Sequence, residues 1–234
     1  VEVRVDERCM NGAALKEAGH AVGDFIAFDA APEITPTGFI SARHLDDKAG
    51  VALLLATARA VKAARIDLPS DCYLLFTIFE EVGSGASSIL YGDVAEMVVI
   101  DHAPVAEDQN ATEYVANIGM MDQTGPFDYH LSQKLISLCE TYRVAYCTDV
   151  YRHYRTDSAS AIAAGNDTRT ALLGFGVDGS HGNERTHLAS LEAVSRLIGL
   201  YMQSPPTFLR DKDDLASLDG FPHQPSRKAI KITT

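Results

Sequence analysis

The apolar and polar positions change rhythm along the chain. Val1 to Asp6 alternates apolar and polar side chains, as a half-buried strand does. Ala13 to Gly19 fits a short helix ended by Gly, and Val22 to Phe28 alternates again around Gly23-Asp24. Phe39-Ile40 closes a hairpin rich in Pro and Thr. Residues 1–42 therefore read as antiparallel β. From Asp46 the texture is different. Val51 to Val61 is a nearly all-apolar helix, and Cys72 to Phe79 and Met97 to Ile100 are apolar runs of strand length. Helical patterns at Ser84–Tyr91, Ser132–Tyr142 and Asp157–Ala164 interleave with strands at Ala145–Val150 and Thr170–Phe175. A last helix is expected over Leu191–Met202, capped near Ser190. Strands alternating with helices predict an α/β body over residues 43–204, with a mixed, mostly parallel sheet and helices on both faces. Residues 205–234 read as a polar C-terminal tail after Pro205-Pro206.

Composition narrows the function classes. The chain has 234 residues and a net charge of −12, and 46% of its residues are hydrophobic. That is an ordinary globular composition, large enough to bury a core. The acidic balance argues against nucleic acid and against an anionic membrane surface, which both select clustered Lys and Arg. No apolar run approaches the ~18 residues of a membrane span. The four cysteines form no CxxC pair, which points to a reducing cytoplasm rather than a disulfide scaffold or zinc ribbon. Phosphate-cradling Gly motifs and a G-x-S-x-G elbow are absent, so neither a nucleotide site nor a serine triad is expected.

What remains is acids at element junctions. Asp46-Asp47 precedes the apolar helix and suits either an N-cap or a carboxylate bridging two metals. Glu80-Glu81 ends an apolar run, where burying unpaired charge is costly without a cation. Asp101-His102 follows another apolar run directly. In α/β sheets, ligands collect at such carboxyl ends. The loop Gly179–His187 offers two imidazoles, His181 and His187, and Thr156-Asp157 opens a helix as a cap or a site wall. Carboxylate and imidazole together suit divalent zinc, cobalt or manganese.

Asp46-Asp47-Lys48-x-Gly50, Glu80-Glu81-Val82-Gly83 with Gly85-Ala86, Ile100-Asp101, Thr156-Asp157 and a late His together resemble peptidase family M42. The likeness runs over nearly all of residues 1–203, and each motif alone is modest. It implies a dinuclear-metal aminopeptidase that removes N-terminal residues from short peptides. It implies Glu80 as general base, and Asp46 (bridging), Glu81, Asp101 and His181 as ligands of two divalent ions. Thr156 and Asp157 would line the substrate site. The family reads His-Ser-x-x-Glu where this chain reads His-Gly-Asn-Glu, which leaves His187 as a rival ligand. Residues 1–42 resemble the end of the family's inserted dimerisation domain, and the resemblance implies a homo-oligomer, a dimer or a dodecamer. The family's first His ligand comes from an H-x-D strand ahead of that domain. His44-Leu45-Asp46 imitates the motif, but its Asp is already the bridging candidate. The chain is thus expected to begin inside the inserted domain and to leave one metal shell incomplete, which implies one ion or none and loss of activity for this stretch alone. Two other readings stay open. One is a deacylase or amidohydrolase on the same scaffold, with Arg152, Arg155 and His102 meeting an acidic ligand. The other is a non-catalytic assembly subunit.

Overall fold

The computed structural model describes residues 4–88, 90 and 93–208. They fall into two compact units, Val1–Ala30 and Ala31–Thr234. The first contains one helix, α1 (Gly12–Glu17), capped by Asn11, whose side chain accepts from the N–H groups of Ala13 and Ala14. The alternating stretches expected to be strands are not strands here. Residues 4–6 and 22–28 are not in strand, and Val22 and Phe25 are fully exposed. Alternation alone does not make a strand without a neighbour to take its hydrogen bonds. Val1 to Val3 lie outside the described residues.

The second unit carries the rest. Its elements are β1 (Glu33–Ile34), β2 (Phe39–Ala42), α2 (Leu45–Ala64), β3 (Glu96–Pro104), β4 (Ala116–Asp122), β5 (Gly125–Pro126), α3 (Tyr129–Tyr142), β6 (Tyr146–Val150), α4 (Asp157–Ala163), β7 (Arg169–Val177), β8 (Glu184–His187) and α5 (Leu188–Met202). The main sheet is mixed and mostly parallel. Parallel pairs β3–β7 and β4–β6 are joined by the antiparallel β4–β7 contact, and β5 folds back on β4. Helices α2, α3 and α5 cover one face through Leu53, Leu131, Leu135, Val194 and Leu197, packed on Ile118, Leu173 and Phe175 of the sheet. Leu172, pointing the other way as strand alternation requires, joins Val99, Ala103, Phe127 and Tyr151 in a second cluster. A small antiparallel sheet, β1–β2–β8, stands beside the main one.

Four expectations change. Cys72–Phe79 forms no strand: β3 pairs only with β7 among the described residues, and its other edge borders a cavity of about 2440 Å³ that residues 72–78 also line. The described part of Ser84–Tyr91 is turn and bend rather than helix; it is short and carries Gly85 in its first turn. The last helix begins at Leu188 with His187 as its cap, the imidazole Nδ1 accepting from Ala189 N–H at 3.0 Å. Ser190 is instead buried, donating to the Val115 carbonyl at 2.6 Å and accepting from Gly176 N–H at 3.1 Å. The polar stretch 184–187, read as loop, is strand β8. The tail from residue 209 onward lies outside the described residues.

Candidate metal centre

Chain geometry brings the acids together. β3 and β7 run parallel, so their carboxyl ends emerge at the same edge of the sheet. Asp101 and His102 sit near that end of β3, and the loop holding His181 follows β7. The antiparallel β2–β8 pair sets Ala42 opposite Glu184. Asp46, four residues on, therefore meets the same loop. Its N–H donates to Glu184 Oε2 at 2.9 Å, and the Ser180 hydroxyl donates to its Oδ2 at 3.0 Å. Asp46 and Asp47 have non-helical dihedrals inside α2. The turn therefore presents the Asp46 carboxylate to the loop rather than capping the helix.

Glu80 and Glu81 lie on a single 3₁₀ turn, Glu80–Val82, closed by Gly83 in the left-handed region at φ 79°. A Cβ at Gly83 would also meet the Arg155 guanidinium, a flexible side-chain end that can shift, so the left-handed φ is what restricts the position. The turn is fastened on both sides by Asp157 of α4. Thr77 Oγ1 donates to Asp157 Oδ2 at 2.7 Å, and Ala86 N–H donates to Oδ1 at 3.0 Å. Thr156 caps α4, accepting from Ser158 N–H.

These elements converge on two triads that share Asp46. In one, His181 Nε2 lies 3.1 Å from Asp46 Oδ2 and 3.1 Å from Glu81 Oε2. In the other, His102 Nδ1 lies 3.1 Å from Asp46 Oδ2 and 3.3 Å from Asp101 Oδ1. The donor atoms of each triad all fall within 4.8 Å of one another. The first triad faces solvent, with the His181 side chain 70% exposed, whereas the second is buried. A cavity of about 410 Å³ opens on both and is also lined by Glu80, Thr156 and Arg155. His187 is elsewhere: its Nε2 meets the Thr37 carbonyl at 2.8 Å and its ring packs on Phe39 and Tyr114. His44 is exposed and outside both triads.

The electrostatics describe a site short of positive charge. Asp46, Asp47, Glu80, Glu81 and Asp101 crowd together, and every ion pair they make among the described residues is to an imidazole. Burial would raise the Asp46 carboxyl, but the hydrogen bond and charge of His102, the Ser180 hydroxyl and His181 hold it below the usual range. Burial and the charges of Asp101 and Asp46 push Asp47 well up, and its Oδ1 is buried without a hydrogen-bond partner. Burial also raises Glu81 and Asp101. Burial, then the charges of Asp101, Asp157, Glu81 and Asp46, push Glu80 up to about 8. Burial opposes protonation of His102, but Asp101 and Asp46 outweigh it and raise the imidazole to about 10. Buried carboxylates in such excess fit divalent cations. The spacing fits too: ligands about 2.0–2.1 Å from a tetrahedral ion sit about 3.3 Å apart.

A pH prediction arises from Glu80. Its folded-state carboxyl is raised from 4.5 to about 8, so the stabilisation it contributes is complete below pH 4.5 and is lost as pH rises through about 8. With chelator present, the thermal midpoint should fall between pH 5 and 9, and Glu80→Gln should flatten that fall. An equal slope in both proteins would contradict the assignment.

Sequence reasoning passed over Glu184 and left His102 as a weak hint of an acidic ligand. Glu184 is fully buried with its carboxylate on Asp46 N–H. Its signal was an acid inside a stretch that reads as solvated loop. The signal for His102 was its place directly after Asp101 at the end of an apolar run.

The comparisons with known proteins fit this geometry. The model of the M42 glutamyl aminopeptidase family matches residues 1–197. A Bacillus subtilis (strain 168) protein named "Putative aminopeptidase YhfE" is 38% identical over 205 residues, covering 88% of this chain and 59% of that protein. Among solved structures, the aminopeptidase APDkam598 from the archaeon Desulfurococcus kamchatkensis superposes with a TM-score of 0.74 at 22% identity, over 88% of this chain and 60% of that one. The Pyrococcus horikoshii TET1 peptidase, which can assemble into a tetrahedron or a large octahedral shell, gives a TM-score of 0.62 at 21% identity, over 75% of this chain and 53% of that one. The chain thus spans about three-fifths of the length of the first two relatives. With acids and imidazoles gathered at the carboxyl edge of a mostly parallel sheet, and a family model matched over most of its length, the chain belongs to the M42 glutamyl aminopeptidase family.

Proposed function

We propose that the protein is a metal-dependent aminopeptidase that removes N-terminal residues from short peptides. The observation that carries this reading is the pair of carboxylate–imidazole triads sharing Asp46, with Glu80 on the same cavity. Asp46, Glu81, Asp101 and His181 are the proposed ligands of two divalent ions, zinc or cobalt, with manganese as a third choice for the carboxylate-rich donor set. Held there, such ions would supply Lewis acidity to a water, to the scissile carbonyl and to the free α-amine of the substrate. Glu80 takes the proton of the attacking water and passes it to the leaving amine. Its raised proton affinity suits that exchange near neutral pH. Asp157 holds the turn beside Glu80 and lines the large cavity, Thr156 lines the small one, and both are proposed to line the substrate site.

The four cysteines are all free, which suits the proposed cytoplasmic setting. No helix among the described residues is long and apolar enough to cross a membrane. A homo-oligomer, a dimer or a dodecamer, is proposed from the likeness to the TET1 peptidase. The test is release of the N-terminal residue from unblocked short peptides by the metal-loaded protein, abolished by chelator and restored by zinc or cobalt.

A further inference from the structure

We infer that His102 is itself a metal ligand, supplying the imidazole for the ion that Asp46 and Asp101 hold. This rests on the metal-centre reading above and adds a ligand to it. The two triads have the same construction. Each combines Asp46 Oδ2, one further carboxylate oxygen and one imidazole nitrogen, with the imidazole 3.1 Å from Asp46 Oδ2 in both. The second carboxylate lies 3.1 Å from His181 Nε2 and 3.3 Å from His102 Nδ1. These are the donor separations of a tetrahedral shell. Whatever assigns His181 to one ion therefore assigns His102 to the other.

His102 is also better held than His181. It lies in the body of β3, in register with Phe175 of β7, and is 6% exposed. Its ring stands edge-on to Tyr154 with centroids 4.9 Å apart, and the Tyr154 hydroxyl donates to the His102 main-chain carbonyl at 3.0 Å. Its own N–H donates to Asp101 Oδ1 at 2.7 Å, which fixes that carboxylate against the ring. A ligand oriented by its strand and by a packed aromatic neighbour needs little reorganisation to take an ion. The competing role is that of a plain N–H donor bridging two carboxylates, with no bond to metal. Binding stoichiometry separates the two.

The experiment is a cobalt(II) titration of the metal-stripped protein, followed by calorimetry and by the visible absorption of the bound ion. The wild type should take up two ions per chain. His102→Ala should take up one, His181→Ala should take up one, and the double variant none. His102→Asn keeps an N–H near the position of Nδ1 but is a poor cobalt ligand, so it should also fall to one; it covers the case in which the Ala variant fails to fold. Two ions at wild-type affinity in a folded His102→Asn protein would overturn the ligand assignment and leave His102 as a hydrogen-bond donor. Failure of the wild type to bind cobalt would overturn the metal-centre reading itself, a separate outcome.

Discussion

Glu80→Gln is expected to keep its metal and to lose turnover by about 10²- to 10⁴-fold, the usual contribution of general acid–base catalysis. Glu80 belongs to neither triad, so the amide removes no proposed ligand. The side chain occupies the same 3₁₀ turn as Glu81, and that turn is fastened by Asp157 through Thr77 and Ala86, not by Glu80. Among the described residues, the side-chain hydrogen bonds that fasten the turn come from Thr77 and Ala86 and not from Glu80. Burial and the neighbouring acids push the Glu80 carboxyl up to about 8, so below that pH the amide replaces a largely protonated acid and the metal-free protein should be no less stable. Metal analysis and peptide turnover measured on the same preparation check this. A near-normal rate would remove Glu80 from the chemistry, and a loss of metal would make it a ligand.

Asp46→Asn should have the opposite signature. Asp46 Oδ2 is the one atom common to both triads, 3.1 Å from each imidazole. Losing its charge weakens both ions together. Since altering groups that merely orient ligands costs 10- to 100-fold in affinity, a shared ligand should cost at least about 100-fold for each ion. Glu81→Ala and His181→Ala should each affect the solvent-facing ion alone. Metal content per chain should therefore fall from two to none in Asp46→Asn and from two to one in the other variants, measured after dialysis. Two retained ions in Asp46→Asn would contradict the bridging role.

Much of the fold was legible because its signals were local. The apolar stretch of α2, the α3 pattern and the buried run Ala171 to Val177 of β7 each carry their period in a single window. What was lost depended on partners. Cys72–Phe79 has the composition of a buried strand but meets no ladder. By contrast, β4, with Gly119 and Asn117 within it, looks unlike a strand and yet joins the two halves of the sheet. Asn117 is tolerated there because its buried amide meets Thr112 N–H and the carbonyls of Thr112 and Val115. The site divides in the same way. Acids at the ends of apolar runs announced Asp46, Glu81 and Asp101, since charge in those places needs a reason. Glu184 and His102 act through distances that only the β2–β8 and β3–β7 pairings create.

Under the proposed function, this acid–imidazole cluster hydrolyses peptides from a free N-terminus. The direct measurement compares, with zinc- or cobalt-loaded protein, one short peptide with a free α-amine and the same peptide N-acetylated, each with and without chelator. The expected result is stepwise loss of residues from the free peptide only, and only with metal present. Cleavage of the acetylated peptide, turnover that survives complete removal of metal, or an intact free peptide after incubation with the loaded protein would contradict the account.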